Sequence, residues 1–217
     1  MRNNKYKISI EVSGEEACFA RPDSGINQMT YPVITPSACK GLLESICFMR
    51  SVEVKIDKVA ICNPIQYQTD TFNSHTSERK SDLHKNHEAL QLNRTILRNV
   101  RYKIFGHVKW STVSPEDLGD AEGRYVSQNV NQPHAYQSML RRYISRGRYR
   151  RLPCLGKKNM VCDDFGPVRD DTYPLRDLNF EIPNMLISNF NNPVCGTSVS
   201  PKFRTVKVIN GVVNYAY

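Results

Sequence analysis

The chain has 217 residues, 40% of them hydrophobic and 24% charged, and a formal net charge of +9. That is enough chain for one large domain or two small ones with a real core, and too apolar to stay disordered. No apolar run approaches the roughly 18 residues of a membrane span, and the opening MRNNKYKISIEV lacks the apolar stretch of a signal peptide.

In chain order, KYKISIEV (5–12) alternates, with Tyr6, Ile8, Ile10 and Val12 on one face, and predicts a half-buried strand. A turn-rich stretch follows. TPSACKGLLESICFM (35–49) predicts a helix with Thr35 as N-cap and Pro36 at the first helical position. SVEVKIDKVAI alternates again, and its phase slip at Asp57–Lys58 predicts a β-bulge. Residues 66–95 are polar and weakly periodic, which predicts a long loop or a hairpin excursion. NVRYKIFGHVKW (99–110) predicts a strand with Val100, Tyr102, Ile104, Val108 and Trp110 inward. Its other face carries Arg101, Lys103, Phe105, His107 and Lys109, a set that suits RNA: charges meet phosphates and rings stack on bases. A solvated strand face with one incidental phenylalanine explains the same pattern.

PHAYQSMLRRYISR predicts a second helix, with Tyr136, Met139, Leu140, Tyr143 and Ile144 as its apolar stripe and Gly147 as its stop. Residues 141–158 hold Arg141, Arg142, Arg146, Arg148, Arg150, Arg151, Lys157 and Lys158 and no acidic residue. A local basic run of this kind points to a polyanion, most simply nucleic acid. The tail has short strand-like pieces and an Asn210–Gly211 hairpin dipeptide. The order is strand, helix, strand, strand, helix, then strands. It predicts an α+β fold: a ferredoxin-like βαββαβ domain over residues 1–160 with a hairpin excursion, and a small antiparallel β region over 161–217. In such a fold helices cover one sheet face and leave the other open.

The seven cysteines are an odd number without a CxxC pair, which fits reduced thiols in a cytoplasmic protein. His84 and His87 form an HxxH without nearby cysteines, too few ligands for zinc, so neither a metal nor a cofactor is expected.

The runs ACFARP (17–22), MTYPVITPSACKGLLESI (29–46), NPIQ (63–66) and ILRNVRYKIFGHV (96–108) resemble the CRISPR-associated Cas-five family, in its type I-C branch. PHAYQSMLRR…PCLG and FRTVKVINGVV extend the resemblance over most of the chain, with 67–95 its weak part. The resemblance implies a subunit of an antiviral surveillance complex that caps the 5′ handle of CRISPR RNA beside a large subunit and a backbone subunit. In this branch it also implies metal-independent cutting of precursor CRISPR RNA within each repeat. Target DNA is an open alternative among the partners.

That family cuts with a tyrosine near the end of the first helix and a Lys-His pair opening the second. The histidine corresponds to His134, the lysine to Pro133 and the tyrosine to Cys47. One of three is kept. A histidine in a helix first turn serves as a general base near neutral pH, with Arg141, Arg142 or Arg148 as substitutes for the lysine. Cys47 is a weak candidate acid whose plainer role is to fill space, and His107 is an alternative base. Three readings stay open: a repeat-cutting endoribonuclease, a non-catalytic capping subunit, and a general RNA-binding protein.

Overall fold

A computed structural model of the chain describes residues 6–25, 27–74, 90–111, 130–190 and 198–216. The elements are β1 (Lys7–Ala17), α1 (Pro36–Ile46), β2 (Val52–Ile61), β3 (Gln66–Ser74), β4 (Leu90–Trp110), α2 (Gln132–Ser145), β5 (Asp164–Gly166), β6 (Phe180–Phe190), β7 (Ser198–Ile209) and β8 (Val212–Asn214). All eight strands join one antiparallel sheet in the order β5-β1-β4-β2-β8-β7-β6, with β3 paired to β4 off that path. Among the described residues the fold is mixed α/β, with two helices on an eight-stranded sheet.

Local chemistry sets the boundaries. Thr35 caps α1, its hydroxyl oxygen accepting from the Ala38 N–H at 3.2 Å. The helix ends at Ile46, three residues short of the Met49 that the periodicity suggested. Cys47 is extended (φ −141°), and its N–H still reaches the Leu43 carbonyl. Carbonyls left over at this helix end need outside donors. Arg150 and Arg151, distant in sequence, supply them: their backbone N–H groups donate to the Ser45 and Ile46 carbonyls at 2.8–3.1 Å.

In β2 the register shifts between Ile56 and Lys58, the bulge that the slip at Asp57 predicted. Strand β4 bends at Asn99, where φ is +49°; its first part pairs with β3 and its second lies between β1 and β2. Of loop and hairpin for residues 66–95, the hairpin is observed in β3 and the start of β4. Residues 75–89, with His84 and His87, lie outside the described residues. Asn210 and Gly211 both have positive φ (50° and 71°), as a type I′ hairpin turn requires. That turn lets β8 pair with β2, so the C-terminal strands extend the same sheet.

The apolar stripes of both helices cover one sheet face. Leu42, Leu43 and Ile46 of α1 and Tyr136, Leu140 and Ile144 of α2 share a core with Ile8, Ile10 and Val12 of β1. The opposite face is not left open. After β5 an irregular strap, residues 167–175, crosses it. The Glu11 carboxylate accepts from the Arg169 N–H at 2.9 Å and the Thr172 hydroxyl at 3.0 Å. Lys103 Nζ donates to the carbonyls of Arg169 and Thr172 at 2.5 and 2.6 Å. Among the described residues, no helix is long and apolar enough to cross a membrane.

Candidate functional site

The sheet-face residues singled out from β4 divide under the strap. Lys103 is 7% exposed and spends its ammonium on the two strap carbonyls. Arg101 pairs with Glu11 at 3.1 Å. Burial pushes the Glu11 carboxyl up, but the Arg169 N–H, the Thr172 hydroxyl and the Arg101 guanidinium outweigh it and hold the group below the usual carboxylate range. Lys103, read from the sequence as an RNA contact on an open face, thus faces the protein's own strap, and Arg101, read the same way, is engaged by Glu11, the carboxylate that the strap also holds. The reason is tertiary: the partners lie more than sixty residues away, Glu11 earlier in the chain and the strap later.

His107, 9% exposed, holds Asp57 through Nδ1, at 2.9 and 3.0 Å from the two carboxylate oxygens. The bulge turns Asp57 towards it. Phe105 is half-buried, with Lys58 Nζ 5.1 Å from its ring centroid. Lys109 is exposed.

The second helix carries candidate residues at both ends. Its first turn is fixed by Asn131, the N-cap, whose Oδ1 accepts from the His134 N–H at 3.3 Å. The Asn131 amide also donates to the Tyr6 hydroxyl oxygen. The Tyr6 and His134 rings meet edge to face, with centroids 6.5 Å apart. The Tyr6 carbonyl accepts from Val108 in the sheet, so the Lys7 carbonyl points outward, and Gln137 Nε2 donates to it at 2.6 Å. His134, Gln137 and Arg141 are spaced i, i+3, i+7 and share one helix face. That face runs along the start of β1. Beyond it Arg141 joins Lys7, Ser9, Lys58 and Phe105 in lining a groove of about 520 Å³. The exposed His134 therefore stands at one end of a strip whose other end is a cationic groove with an aromatic wall.

Cys47 does not belong to this strip. It is 1% exposed, and burial pushes its thiol up to about 12. Its carbonyl accepts from the buried Tyr136 hydroxyl at 3.0 Å. It is a helix cap inside the core, with no access to RNA, and is withdrawn as a catalytic acid. Pro133 is likewise buried.

The remaining cations lie at the other end of α2. Arg146 is twelve residues beyond His134, roughly 18 Å at the helical rise. Arg142, Arg146, Arg148, Arg150, Arg151 and Lys158 are exposed and Lys157 is partly so. The Arg150 guanidinium lies 5.2 Å from the Phe48 ring centroid. Only Arg141 of the basic run reaches the groove beside His134. The sequence reading missed Tyr6, Lys7, Asn131 and Asp57. Tyr6 carried one signal, a phenol on the apolar face of a strand, but nothing in its spacing ties it to position 134.

Against known proteins, residues 8–135 match the family model described as CRISPR-associated protein (Cas_Cas5). A relative in Mannheimia succiniciproducens, named CRISPR pre-crRNA endoribonuclease Cas5d, is 26% identical over 239 residues, covering 96% of this chain and 94% of its own. Two solved structures share the fold. One, titled Crystal Structure of CRISPR-associated Protein, has a TM-score of 0.70 at 19% identity and covers 97% of this chain and 92% of its own. The other, the functionally uncharacterized protein SMU1763c from Streptococcus mutans, has a TM-score of 0.65 at 18% identity and covers 96% and 91%. The matched model spans more than half of the sequence, and the chain belongs to the CRISPR-associated Cas5 family.

Proposed function

We propose that this protein cuts precursor CRISPR RNA within the repeat and stays on the 5′ handle as a subunit of a type I-C surveillance complex. The observation that carries the reading is an exposed His134, held at a helix start on the strip that leads to a groove lined by Lys7, Arg141 and Phe105. The name of the Mannheimia relative, a pre-crRNA endoribonuclease, supports the substrate. His134 takes the proton of a ribose 2′-OH as that oxygen attacks the adjacent phosphorus; the P–O5′ bond breaks, leaving a 2′,3′-cyclic phosphate and a 5′-hydroxyl. Lys7 and Arg141 offset the charge that grows on the phosphoryl oxygens. The basic residues from Arg142 to Lys158 hold the repeat stem by its phosphates. The partners are then CRISPR RNA and the large and backbone subunits, and the compartment is the cytoplasm.

The order β5-β1-β4-β2, with α1 and α2 on one face, supports the ferredoxin-like βαββαβ reading of residues 1–160, with β6–β8 as the smaller β region. A non-catalytic capping subunit is the second reading. The buried Pro133 and Cys47, where the resemblance calls for a lysine and a tyrosine, favour it. The deciding assay incubates the protein and His134→Ala with cognate repeat RNA in EDTA and resolves the products on a denaturing gel. One cut with a cyclic-phosphate end, lost in the variant, supports the nuclease. Tight binding without a cut in either protein supports the cap.

A further inference from the structure

We propose that the recess between the strap and the sheet binds one unpaired nucleobase of the RNA, with Tyr173 as its stacking platform and Lys58 as the contact of the adjoining phosphate. The inference rests on the RNA-holding part of the reading above, and it stands equally for a subunit that cuts and for one that only caps.

The recess measures about 330 Å³ and is walled by Phe105, Val168, Tyr173, Pro174 and Val212, with Asp170 on the strap side. That is the small end of the roughly 300–1,000 Å³ of ligand clefts, room for one nucleoside and not for a strand. Aromatic and aliphatic walls suit the faces of a base. The negative charge of Asp170 turns a phosphate away, so the backbone of the RNA stays outside.

Phe105 and Lys58 line this recess and also the groove that holds Lys7 and Arg141. The two cavities are therefore neighbours across a shared wall. The exposed Lys58 stands on that wall, its ammonium 5.1 Å from the Phe105 ring centroid. A single strand leaving the cationic groove over this wall meets Lys58 with a phosphate and places its next base in the recess.

Tyr173 is the second observation. At 66% exposed it is the barest large hydrophobic side chain among the described residues. Its backbone, however, is pinned on both sides. Lys103 donates to the Thr172 carbonyl at 2.6 Å, the Thr172 hydroxyl donates to Glu11 at 3.0 Å, and the Leu175 N–H donates to the Ile61 carbonyl at 3.0 Å. An exposed ring on a fixed backbone is a stacking platform, and with two χ angles it loses little entropy on contact. The buried Lys103 and Glu11 then serve the RNA as positioning residues that hold the wall of the recess.

The test measures repeat RNA affinity by fluorescence anisotropy in the His134→Ala background, which keeps cutting out of the readout. Tyr173→Ala, Tyr173→Phe and Lys58→Gln are compared on the intact repeat and on copies with an abasic residue at each unpaired position in turn. Tyr173→Ala should lower affinity by about 5–100-fold, and Tyr173→Phe should keep it. One abasic position should cause a loss of similar size, to which Tyr173→Ala adds nothing, because both changes remove the same stack. Lys58→Gln should reduce the slope of log affinity against log salt by about 1. A Tyr173→Ala loss that adds to the abasic loss at every position overturns the base site, and an unchanged slope in Lys58→Gln overturns the phosphate contact. If the parent protein binds repeat RNA no better than an unrelated hairpin, the functional reading falls and this inference with it. If it binds the repeat and the Tyr173→Ala and Lys58→Gln variants bind equally well, this inference alone falls.

Discussion

The two ends of α2 make opposite use of their residues. At the start, polar groups are few, mutually bonded and pinned to β1: Asn131, His134, Gln137 and Tyr6. At the far end, cations are many and exposed, and the chain is anchored through backbone N–H groups that cap α1. Geometry is held tightly where the proposed function moves a proton. Charge is spread loosely where it only holds a polyanion. A similar division separates the sheet-face cations: Lys103 is locked to strap carbonyls, whereas Lys109 is exposed.

If the ends do differ in this way, substitutions at each should move different observables. The largest effect belongs to His134→Ala, which should lower the single-turnover cleavage rate by about 10²–10⁴-fold and leave repeat RNA affinity unchanged. A variant that cuts normally and binds poorly would reverse the assignment of the two ends. Next comes Arg148, Arg150 and Arg151 replaced together by alanine. Removing three phosphate contacts should reduce the slope of log affinity against log salt by about 2–3, with cleavage at saturating RNA intact. Fluorescence anisotropy across a salt series measures it, and an unchanged slope would take the basic run out of the interface.

Smaller effects test the strap and the core. Glu11→Gln removes the carboxylate that joins Arg101 to Arg169 and Thr172, and should cost about 1–3 kcal/mol in chemical denaturation. Because that carboxyl titrates lower in the fold than its ordinary 4.5, it stabilises the native state above that pH. The contribution is lost as the pH falls through the depressed value. The variant should therefore show a shallower loss of stability on acidification than wild type. The smallest effect is expected at Cys47→Ala: about 1 kcal/mol of stability and no change in cleavage. In the native wild-type protein the Cys47 thiol, held near 12, should resist alkylation at pH 8.

Much of the scaffold was legible because it depends on neighbours in sequence. Period-two alternation marked β1, β2 and the sheet half of β4. Thr35–Pro36 marked the start of α1, the slip at Asp57 marked the bulge, and Asn210–Gly211 marked the last hairpin. His134 was singled out as a candidate from the family resemblance, and the basic run from local charge. The strap was invisible, since residues 167–175 carry no periodicity and their role lies in bonds to Glu11 and Lys103 far along the chain. For the same reason Arg101 and Lys103 read as RNA-binding charges on an open sheet face.

Sequence alone thus determined most of the elements, the family resemblance and the presence of a basic run, all of which rest on short-range patterns of polarity, charge and turn chemistry. Tertiary structure decided which of the marked residues meet. It buried Cys47, drew Tyr6 to His134 through Asn131, and anchored the loop of Arg150 and Arg151 on the end of α1. Such meetings arise from packing helices onto a sheet, where positions 6 and 134 become neighbours through the shape of the whole core and not through any spacing along the chain.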